Sequence, residues 1–452
     1  MSDLVALAER IVAKAKAGEE IEAYVARGHD IEVRAYDGEV ESLSSATTGG
    51  IGVRVLVANG SEGARLGFAW AGSLDDEVVE SAVDEARDNA TFATPDPDVA
   101  FATPDGVSAT ELDLWVPSGA DTATDEEVAI ALELERRVRA ADPSIRQVSS
   151  ADYGDERVEV ALASTTGIRS FTQRTAAFLS VSAIAGEGSD SHTGTGFSVA
   201  RGFAGLDIDR AGVDAVERST RMLGATKVPS DRLTVVFDRR VVSTLLSIIS
   251  SALSGEAVVK GRSFFAGRMG EKVATGSFTL VDDPTDPRAF AAASHDAEGL
   301  ACRRTVLIDS GTLAGFLYDT VSARRAGTSS TGSAVRGGYS GTPGAGCRAL
   351  VLQPGRHDQQ AILAVVGEGL YVQSVTGVHS GVSPVSGDFS VGVEGLMVRD
   401  GELAEPVREI TVASTLQRML QSVLHVGVDI EWLPGIAAGQ TLAIGDMQLS
   451  GT

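Results

Sequence analysis

One stretch near the C-terminus, residues 377–413, most constrains how this chain of 452 residues folds. Its glycines and serines cluster at 377–387, and Asp400-Gly401 separates two apolar runs that follow this cluster. The apolar positions of these runs are Val391, Val393, Leu396 and Val398, then Val407 to Val412. The pattern predicts a Gly/Ser loop that leads into a β-hairpin. Because glycines let backbone groups approach an extended partner closely, the loop is a candidate peptide-binding loop.

Length and composition favour a multidomain α+β protein. A chain of 452 residues exceeds one ordinary core, and its hydrophobic content of 43% is enough for well-packed domains. We predict N-terminal and middle α/β sandwich-type domains, followed by a β-rich C-terminal domain with a few helices. The predicted bounds are 1–93 for the N-terminal domain, 94–112 for a Pro-containing linker, 113–228 for the middle domain and 229–452 for the C-terminal domain.

The charge and the cysteines exclude several classes of function. There are 38 Lys and Arg against 62 Asp and Glu, a net charge of −24 that repels phosphate backbones, so we expect no nucleic-acid partner. Cys302 and Cys347 do not form a CxxC pair, which predicts two reduced thiols rather than a zinc ribbon. The N-terminus is typical of an amphipathic helix and no long apolar run occurs, so we expect a cytoplasmic protein without a membrane span.

Periodicity predicts the main elements. A first helix, capped by Ser2, has Leu4, Leu7, Ile11 and Val12 on its apolar face. Short strands follow, with turns at Asp37-Gly38 and Asn59-Gly60, and a capping box of Ser73 and Asp76 begins a second helix. Further helices are predicted near 125–141, 207–224, 239–253, 356–366 and 414–424, with strands near 156–186.

The histidines give little support for a metal site. The six histidines include no HExxH pair, which would place two imidazoles on one helix face. His379 lies in the Gly/Ser loop, where it either hydrogen-bonds a peptide or partner, or is satisfied by local backbone. His295-Asp296 is expected to point its two side chains apart, and His425 is expected in the core or at a helix C-terminus.

Other polar clusters have two interpretations each. The Ser-rich segments 328–333 and 380–390 lack GxSxG, and the glycine series 332–346 lacks GK[ST], so the latter is predicted to be a mobile loop facing substrate or partner. Arg324, Arg325 and Arg336 either pair with a peptide carboxylate or partner or are simply solvated, which is commoner. The acidic run at Asp282, Asp283 and Asp286 either binds a hard cation or, more commonly, forms an exposed loop.

The Gly377–Ala413 stretch, together with several short motifs, resembles the TldD/PmbA family of metallopeptidase subunits, once named modulators of DNA gyrase. The resemblance spans residues 20 to 450 and depends on the order and spacing of the set. The matching motifs are Asp37-Gly38-Glu39-Val40-Glu41-Ser42, Gly52-Val53-Arg54-Val55, Tyr318-Asp319, Ser322-Ala323-Arg324, Ser330-Thr331-Gly332 and Val426-Gly427-Val428-Asp429-Ile430.

The resemblance implies where catalytic members of the family hold zinc. Their third domain opens with a strand and a helix that carries HExxxH, and a cysteine ligand is expected in a later strand. The corresponding positions here are Leu246, Ser247 and Ser251, with Val393 in the later strand. Since none of these side chains ligates zinc or acts as a general base, the chain resembles the PmbA (TldE) branch, and no cofactor is expected in it.

Three functions remain open at this point. The first is a non-catalytic subunit that forms a heterodimer with a zinc-bearing TldD-type chain and helps to process unfolded or extended peptides. The second is an autonomous hydrolase that uses His379 with a serine or an adventitious metal, and the third is a peptide-binding module without a protease partner. The candidate substrate or interface residues are His379, Ser380, Gly381, Ser386, Gly387, Asp388, Arg324 and Arg336. Whether the chain forms a homodimer when its partner is absent is left open.

Overall fold

Helices and strands alternate in blocks along the chain. The computed structural model describes residues 3–116 and 122–451. The helices are α1 Asp3–Val12, α2 Asp76–Phe92, α3 Thr124–Ala141, α4 Ile208–Thr220, α5 Arg239–Ala252, α6 Gly255–Val259, α7 Thr320–Ala326, α8 Gln359–Val366, α9 Val378–Gly381 and α10 Leu416–Gln421. The chain is therefore α+β, with its C-terminal region rich in sheet, as predicted. None of the helices within the described ranges is long and apolar enough to cross a membrane.

Six long antiparallel strands form the first sheet, in the order β3-β2-β1-β4-β5-β6. Their bounds are β1 Glu19–Tyr36, β2 Glu39–Ala58, β3 Ala64–Ala71, β4 Ile145–Ser164, β5 Arg169–Ala185 and β6 His192–Ala200. The central pairing of β1 with β4 runs from Glu22 opposite Ser164 to Ala35 opposite Ala151. Strands on both sides of the predicted linker therefore belong to one sheet. The domain boundaries given above stay a prediction.

Four helices cover one face of this sheet. Alternate residues of β1, among them Ile21, Ala23 and Val25, pack in one apolar cluster with α1 and α2. Further along the sheet, α3 and α4 pack in a second cluster around Val33 and Leu179. Because side chains alternate between the faces of a strand, Glu22 and Tyr24 point to the opposite face. That opposite face contacts the C-terminal region.

The C-terminal region is built around a second six-stranded sheet, in the order β16-β15-β14-β7-β20-β17. Its strands are β7 Asp231–Phe237, β14 Gly369–Thr376, β15 Asp388–Arg399, β16 Glu402–Thr415, β17 Val423–Val426 and β20 Leu442–Ser450. An additional pairing of β16 with β20, for example Val412 opposite Leu449, closes the sheet on itself. This closure leaves β17 outside the ring, paired with β20 alone.

Shorter strands complete the region. They are β8 Leu280–Asp282, β9 Thr305–Asp309, β10 Thr312–Leu313, β11 Ala334–Val335, β12 Gly344–Ala345, β13 Leu350–Leu352, β18 Glu431–Trp432 and β19 Ala438–Gly439. The apolar face of α5 and the interior of the closed sheet belong to one large buried cluster. That cluster includes Phe237, Leu246 and Val393, each less than 4% exposed. It is the core on which the candidate site stands.

The hairpin predicted from the two apolar runs is confirmed. β15 and β16 pair in antiparallel fashion from Asp388 opposite Thr415 to Arg399 opposite Glu402. Asp400 and Gly401 join them with φ of 49° and 79°. Two consecutive positive φ angles match a turn that follows the right-handed strand twist, and this explains the Asp-Gly pair.

Several local predictions need correction. The strands expected before Asp37 are one continuous strand, β1, and Ser2 lies outside the described residues. The capping box does not form: the residue before α2 is Asp75, which makes no side-chain cap, and the Ser73 hydroxyl donates to the Asp75 carboxylate at 2.9 Å. Helix α10 ends at Gln421, so His425 lies on strand β17 and not at the end of a helix. Its side chain is half-buried.

The predicted linker forms hydrogen bonds and ion pairs with the first sheet and with the C-terminal region. Asp96 exchanges backbone hydrogen bonds with Ala64 and pairs with Arg325 through its carboxylate. The Arg324 guanidinium donates to the Pro97 carbonyl at 3.0 Å, and Arg303 pairs with Asp105 at 2.6 Å. These contacts join the segment between α2 and α3 to the C-terminal region.

Candidate functional site

An open pocket of about 590 Å³ lies between α5 and the Gly/Ser loop, defined as residues 377–387. Here His379 of the loop lies opposite two of the degenerate metal-motif positions, Ser247 and Ser251. Helix α5 contributes one wall and the loop the other, with Val375 of β14 at the base. The lining residues are Thr244, Ser247, Ile248, Ser251, Val375, Gly377, Val378, His379, Val382 and Pro384.

The sequence of α5 sets which side chains face this pocket. The Asp238 side chain caps the helix by accepting a hydrogen bond from the Arg240 N–H at 2.9 Å. Leucine, isoleucine and valine then recur on one face, which is buried in the core. Ser247 and Ser251 are four residues apart, so they share the other face and border the pocket.

Both serine hydroxyls are held by the helix itself. Ser247 donates to the Ser243 carbonyl at 2.8 Å, and Ser251 donates to the Ile248 carbonyl at 2.7 Å. A hydroxyl that donates its proton to a backbone carbonyl is not hydrogen-bonded to a general base, which a nucleophile requires. In this arrangement neither serine is an activated nucleophile.

The two remaining motif positions are in the core. Leu246 is 1% exposed and Val393 is 3% exposed, and both belong to the large cluster around the closed sheet. Across residues 3–116 and 122–451, no three His, Cys, Asp or Glu side chains lie close enough together to hold a metal ion. Zinc is bound by imidazole, thiolate or carboxylate, so the residues of this site do not fit it.

The Gly/Ser loop has a defined conformation. Gly377 has a φ of 76°, and the single turn of α9 follows it. The Gly387 carbonyl accepts the Leu416 N–H at 2.7 Å, and the Gln417 amide donates to the Ser386 carbonyl at 2.9 Å. These two bonds attach the end of the loop to α10. The loop is therefore positioned by the hairpin and by the helix that follows it.

Within this loop, His379 is the side chain with free polar atoms towards the pocket. It is exposed on α9 and makes no hydrogen bond to any other residue the structure describes. Ser380 bonds weakly to the Gly377 carbonyl, and Ser386 donates to the Asp388 carboxylate at 2.7 Å. Gly381 lies against the Ser390 backbone, where a Cβ would come within 1.9 Å of the carbonyl oxygen. The predicted loop residues are thus together, with His379 facing the α5 serines across the pocket.

Arg324 and Arg336 lie away from this pocket. Arg324 binds the linker carbonyl described above, and Arg336 is buried against the first sheet. The Arg336 side chain is 1% exposed and pairs with Glu22 at 2.7 Å, so the expectation that it is solvated is wrong. The structure does not bring either arginine to the Gly/Ser loop.

The Gly-rich segment 332–346 is packed against the first sheet. Tyr339 lies over Gly50 and Gly52 of β2, where a Cβ would come within 2.6 Å and 2.3 Å of it. Its ring also contacts Trp70 at a centroid distance of 6.1 Å. Through Tyr339 and Arg336 the segment therefore forms an interface inside the chain.

Sequence reasoning missed the charged cluster that this interface buries, formed by Glu22, Arg54 and Arg336 and here called the Glu22 triad. Arg54 donates to Glu22 through Nε at 2.8 Å and through Nη2, and both side chains are at most 3% exposed. Burial raises the pKa of Glu22, but the charges of Arg54 and Arg336 outweigh it and hold the pKa below its usual value. The signal in the sequence is a Glu and an Arg inside two apolar strands, Ile21–Val25 and Val53–Val57.

The other polar candidates have structural partners. The Asp296 carboxylate accepts the N–H groups of Glu298, Leu300 and Ala334 and makes no bond to His295, as predicted. Cys302 and Cys347 are free and buried.

The acidic run is not a loop throughout. Asp282 is buried on β8 and accepts the Arg348 and Ala349 N–H groups, so the prediction of an exposed loop is wrong there. Burial raises the pKa of Asp282 to about 6, although these backbone bonds act against it. Asp286 pairs with Arg288 at 2.6 Å. Asp282 and Asp286 therefore both have partners within the protein.

The comparisons with known proteins agree in family and in fold. Family models of the PmbA/TldA metallopeptidase match three segments: domain 1 at residues 21–90, the central domain at 117–223 and the C-terminal domain at 230–451. The Metalloprotease PmbA of Escherichia coli O157:H7 is 28% identical over 95% of this chain and 92% of its own length. The Metalloprotease PmbA homolog of Haemophilus influenzae is 27% identical over 96% of this chain and 93% of its own length.

A solved structure extends the similarity to the whole fold. The crystal structure of TldE from Thermococcus kodakarensis superposes with a TM-score of 0.88, covers 99% of both chains and shares 24% identity. Because the three matched segments together span most of the sequence, the family resemblance found in the short motifs is confirmed. The chain belongs to the PmbA/TldD metallopeptidase family.

Proposed function

We propose that this chain is the supporting, metal-free subunit of a two-chain cytoplasmic peptidase, in which a TldD-type partner carries the zinc. The single observation that carries the proposal is the state of the four motif positions. Two of them, Leu246 and Val393, are core residues, and the hydroxyls of Ser247 and Ser251 donate into their own helix. The chain keeps the rest of the family scaffold around an open pocket.

The proposed contribution of this chain is surface for peptide binding. The pocket of about 590 Å³ has an imidazole and apolar side chains on the loop wall and mainly hydroxyl groups on the α5 wall, and its open shape suits an extended peptide more than a folded protein. The backbone groups available to a bound peptide belong to the Gly/Ser loop. They do not come from an unpaired strand edge of the closed sheet. A complex of two related chains would enclose such a pocket between them.

A second candidate is an autonomous hydrolase, favoured by the presence of His379, Ser247 and Ser251 around one pocket. For this chemistry, a serine would have to give up its helix carbonyl and bind the imidazole, and a further group would have to orient His379. No residue in the described ranges hydrogen-bonds His379, so this orienting group is missing. The supporting role requires neither change.

Co-purification with metal analysis tests the proposal. We expect the chain and a TldD-type chain from the same genome to elute as one complex with about one zinc per pair, and the chain alone to contain close to none. Both samples should be prepared without chelators and analysed for zinc by elemental analysis. About one zinc per isolated chain would contradict the proposal, and so would separate elution of the two chains.

His379 offers a test of the pocket itself. Replacing His379 with Ala should lower kcat/KM of the complex for an extended peptide about tenfold, because an imidazole that can hydrogen-bond the peptide is lost from the pocket, while the zinc content of the partner is unchanged. His357→Ala is the matched control, since His357 is also an exposed histidine of this region but lies outside the pocket. Equal turnover by the His379→Ala and His357→Ala complexes would show that His379 does not contribute to peptide turnover.

A further inference from the structure

A second cavity lies between the first sheet and the C-terminal region and has no role in the function proposed above. Its volume is about 580 Å³, within the range of small-molecule sites. Strands β1, β4 and β5 form one wall, and the segments 291–297 and 336–338 form the other. Three guanidinium groups line it, those of Arg174, Arg336 and Arg348.

The unsatisfied polar atoms of this cavity are all nitrogens. Arg336 Nε and Nη1, Arg348 Nε and His295 Nδ1 are buried and find no hydrogen-bond partner among the described residues. Burial lowers the pKa of His295 and so favours its neutral imidazole, in which one ring nitrogen is a donor and the other an acceptor, while the three arginine nitrogens are donors only. Buried donors without acceptors are costly, and a site that holds several of them together is complementary to an anion.

The acidic side chains near these arginines are already engaged. Asp296 lines the cavity, but its two oxygens accept three backbone N–H groups. Glu156 pairs with Arg174 at 3.0 Å, and Glu22 is shared by the two arginines of the Glu22 triad. The Arg348 side chain forms no ion pair with any described residue and gives one hydrogen bond, from Nη2 to the Ala334 carbonyl at 3.2 Å.

Tyr24 lies on the cavity wall together with the three arginines. Burial raises the pKa of its phenol, and the charges that act in the opposite direction are those of Arg336, Arg348 and Arg174. Three arginines therefore converge on one point of the cavity wall. The Arg336 guanidinium also stacks on the Tyr24 ring, 4.6 Å from its centroid, which fixes its plane.

The rest of the lining is apolar. Apolar side chains border the cavity from two sides: Leu112 and Leu114 of the segment between α2 and α3, and Val158, Val160 and Phe171 of the sheet. We propose that this cavity binds a carboxylate carried on an apolar body, with the carboxylate on Arg336 and Arg348 and the body against these side chains. A planar guanidinium fork matches a carboxylate with two parallel hydrogen bonds. The C-terminus of an apolar peptide and a free aromatic acid share this chemistry.

Isothermal titration of the full chain without its partner tests the site, so the outcome does not depend on the proposed pairing. The probes are N-acetyl-Leu-Phe with a free carboxylate, the same dipeptide as its C-terminal amide, phenylacetate and inorganic phosphate. We expect at least one of the two carboxylates to bind one per chain, with the amide about tenfold or more weaker than the free dipeptide if the dipeptide is the one bound. Binding of the dipeptide acid identifies a peptide C-terminus as the source, and binding of phenylacetate alone identifies a free acid.

Two variants locate the binding. Arg348→Met should weaken the bound carboxylate about tenfold or more, because it removes a cation that is not part of an ion pair, whereas Arg356→Met, an exposed arginine away from the cavity, should have no effect. If Arg348→Met does not fold, the unaltered chain still shows whether the cavity recognises a carboxylate. For the peptide, the comparison is between the dipeptide acid and its amide. For the free acid, the comparison is between phenylacetate and phosphate. No binding of either carboxylate at about millimolar concentration, equal binding of acid and amide, or tighter binding of phosphate than of both carboxylates would overturn the proposal.

Discussion

Replacing Glu22 with Ala should lower the free energy of unfolding by about 3–5 kcal/mol, because it leaves two buried guanidinium groups without a counterion. Glu22 Oε1 accepts hydrogen bonds from both Arg54 and Arg336, and all three side chains of the Glu22 triad are at most 3% exposed. Arg336 belongs to the C-terminal region, so the loss should first loosen its contact with the first sheet.

Urea unfolding followed by tryptophan fluorescence measures this effect, since Trp70 lies beside Tyr339 at that contact. Glu20→Ala is the control: Glu20 is exposed on the same strand and the same face, and its loss should cost less than about 0.5 kcal/mol. Since the pKa of Glu22 is held below its usual value, its ion pairs contribute at neutral pH, and this contribution is lost as the pH falls through that lowered pKa. Equal midpoints for the two variants would show that the Glu22 triad does not hold the regions together.

Features that depend on a few neighbouring residues were predicted well. The hairpin at Asp400-Gly401 has a turn that requires positive φ angles, and the α5 helix has a continuous apolar face. The helices predicted near 125–141 and 239–253 are α3 and α5 to within a residue. In each case the period of the apolar residues and the chemistry of the ends point to the same structure.

The sequence alone did not predict which strands pair when they are far apart along the chain. The pairing of β1 with β4 joins segments on either side of the predicted linker, and nothing in either strand specifies its partner. The burial of Arg336 was also not predicted, because the strand that covers it is distant in the sequence. An arginine in a Gly-rich segment is solvated unless another part of the chain covers it, and here the Glu22 side of the first sheet does so.

The candidate site was predicted in part. The family resemblance identified the four motif positions and the Gly/Ser loop, and the structure places Ser247, Ser251 and His379 around one pocket. Single-sequence patterns gave no indication that the serine hydroxyls donate to helix carbonyls, because that depends on side-chain rotamers. The cavity lined by Arg174, Arg336 and Arg348 was also not predicted, since its walls come from seven separate segments of the chain.

The largest effect that the account predicts is on peptide cleavage by the complex. A TldD-type chain alone would present its metal on an incomplete pocket, and substrate positioning is worth about a hundredfold or more in rate. This chain alone has neither metal ligands nor an oriented base in its described residues, so it should not cleave peptides. Mixing the two should therefore raise turnover about a hundredfold above the sum of the separate chains.

The most direct test is the rate of cleavage of one extended, unstructured peptide by three samples: this chain, the zinc-bearing chain, and both at equal concentration. Zinc content is measured in each sample, so that a change in rate is not a change in metal loading. We expect activity in the mixture, little or none in either chain alone, and the same zinc per pair as in the metal-bearing chain. If the metal-bearing chain alone cleaved the peptide as fast as the mixture, this chain would not be a supporting subunit.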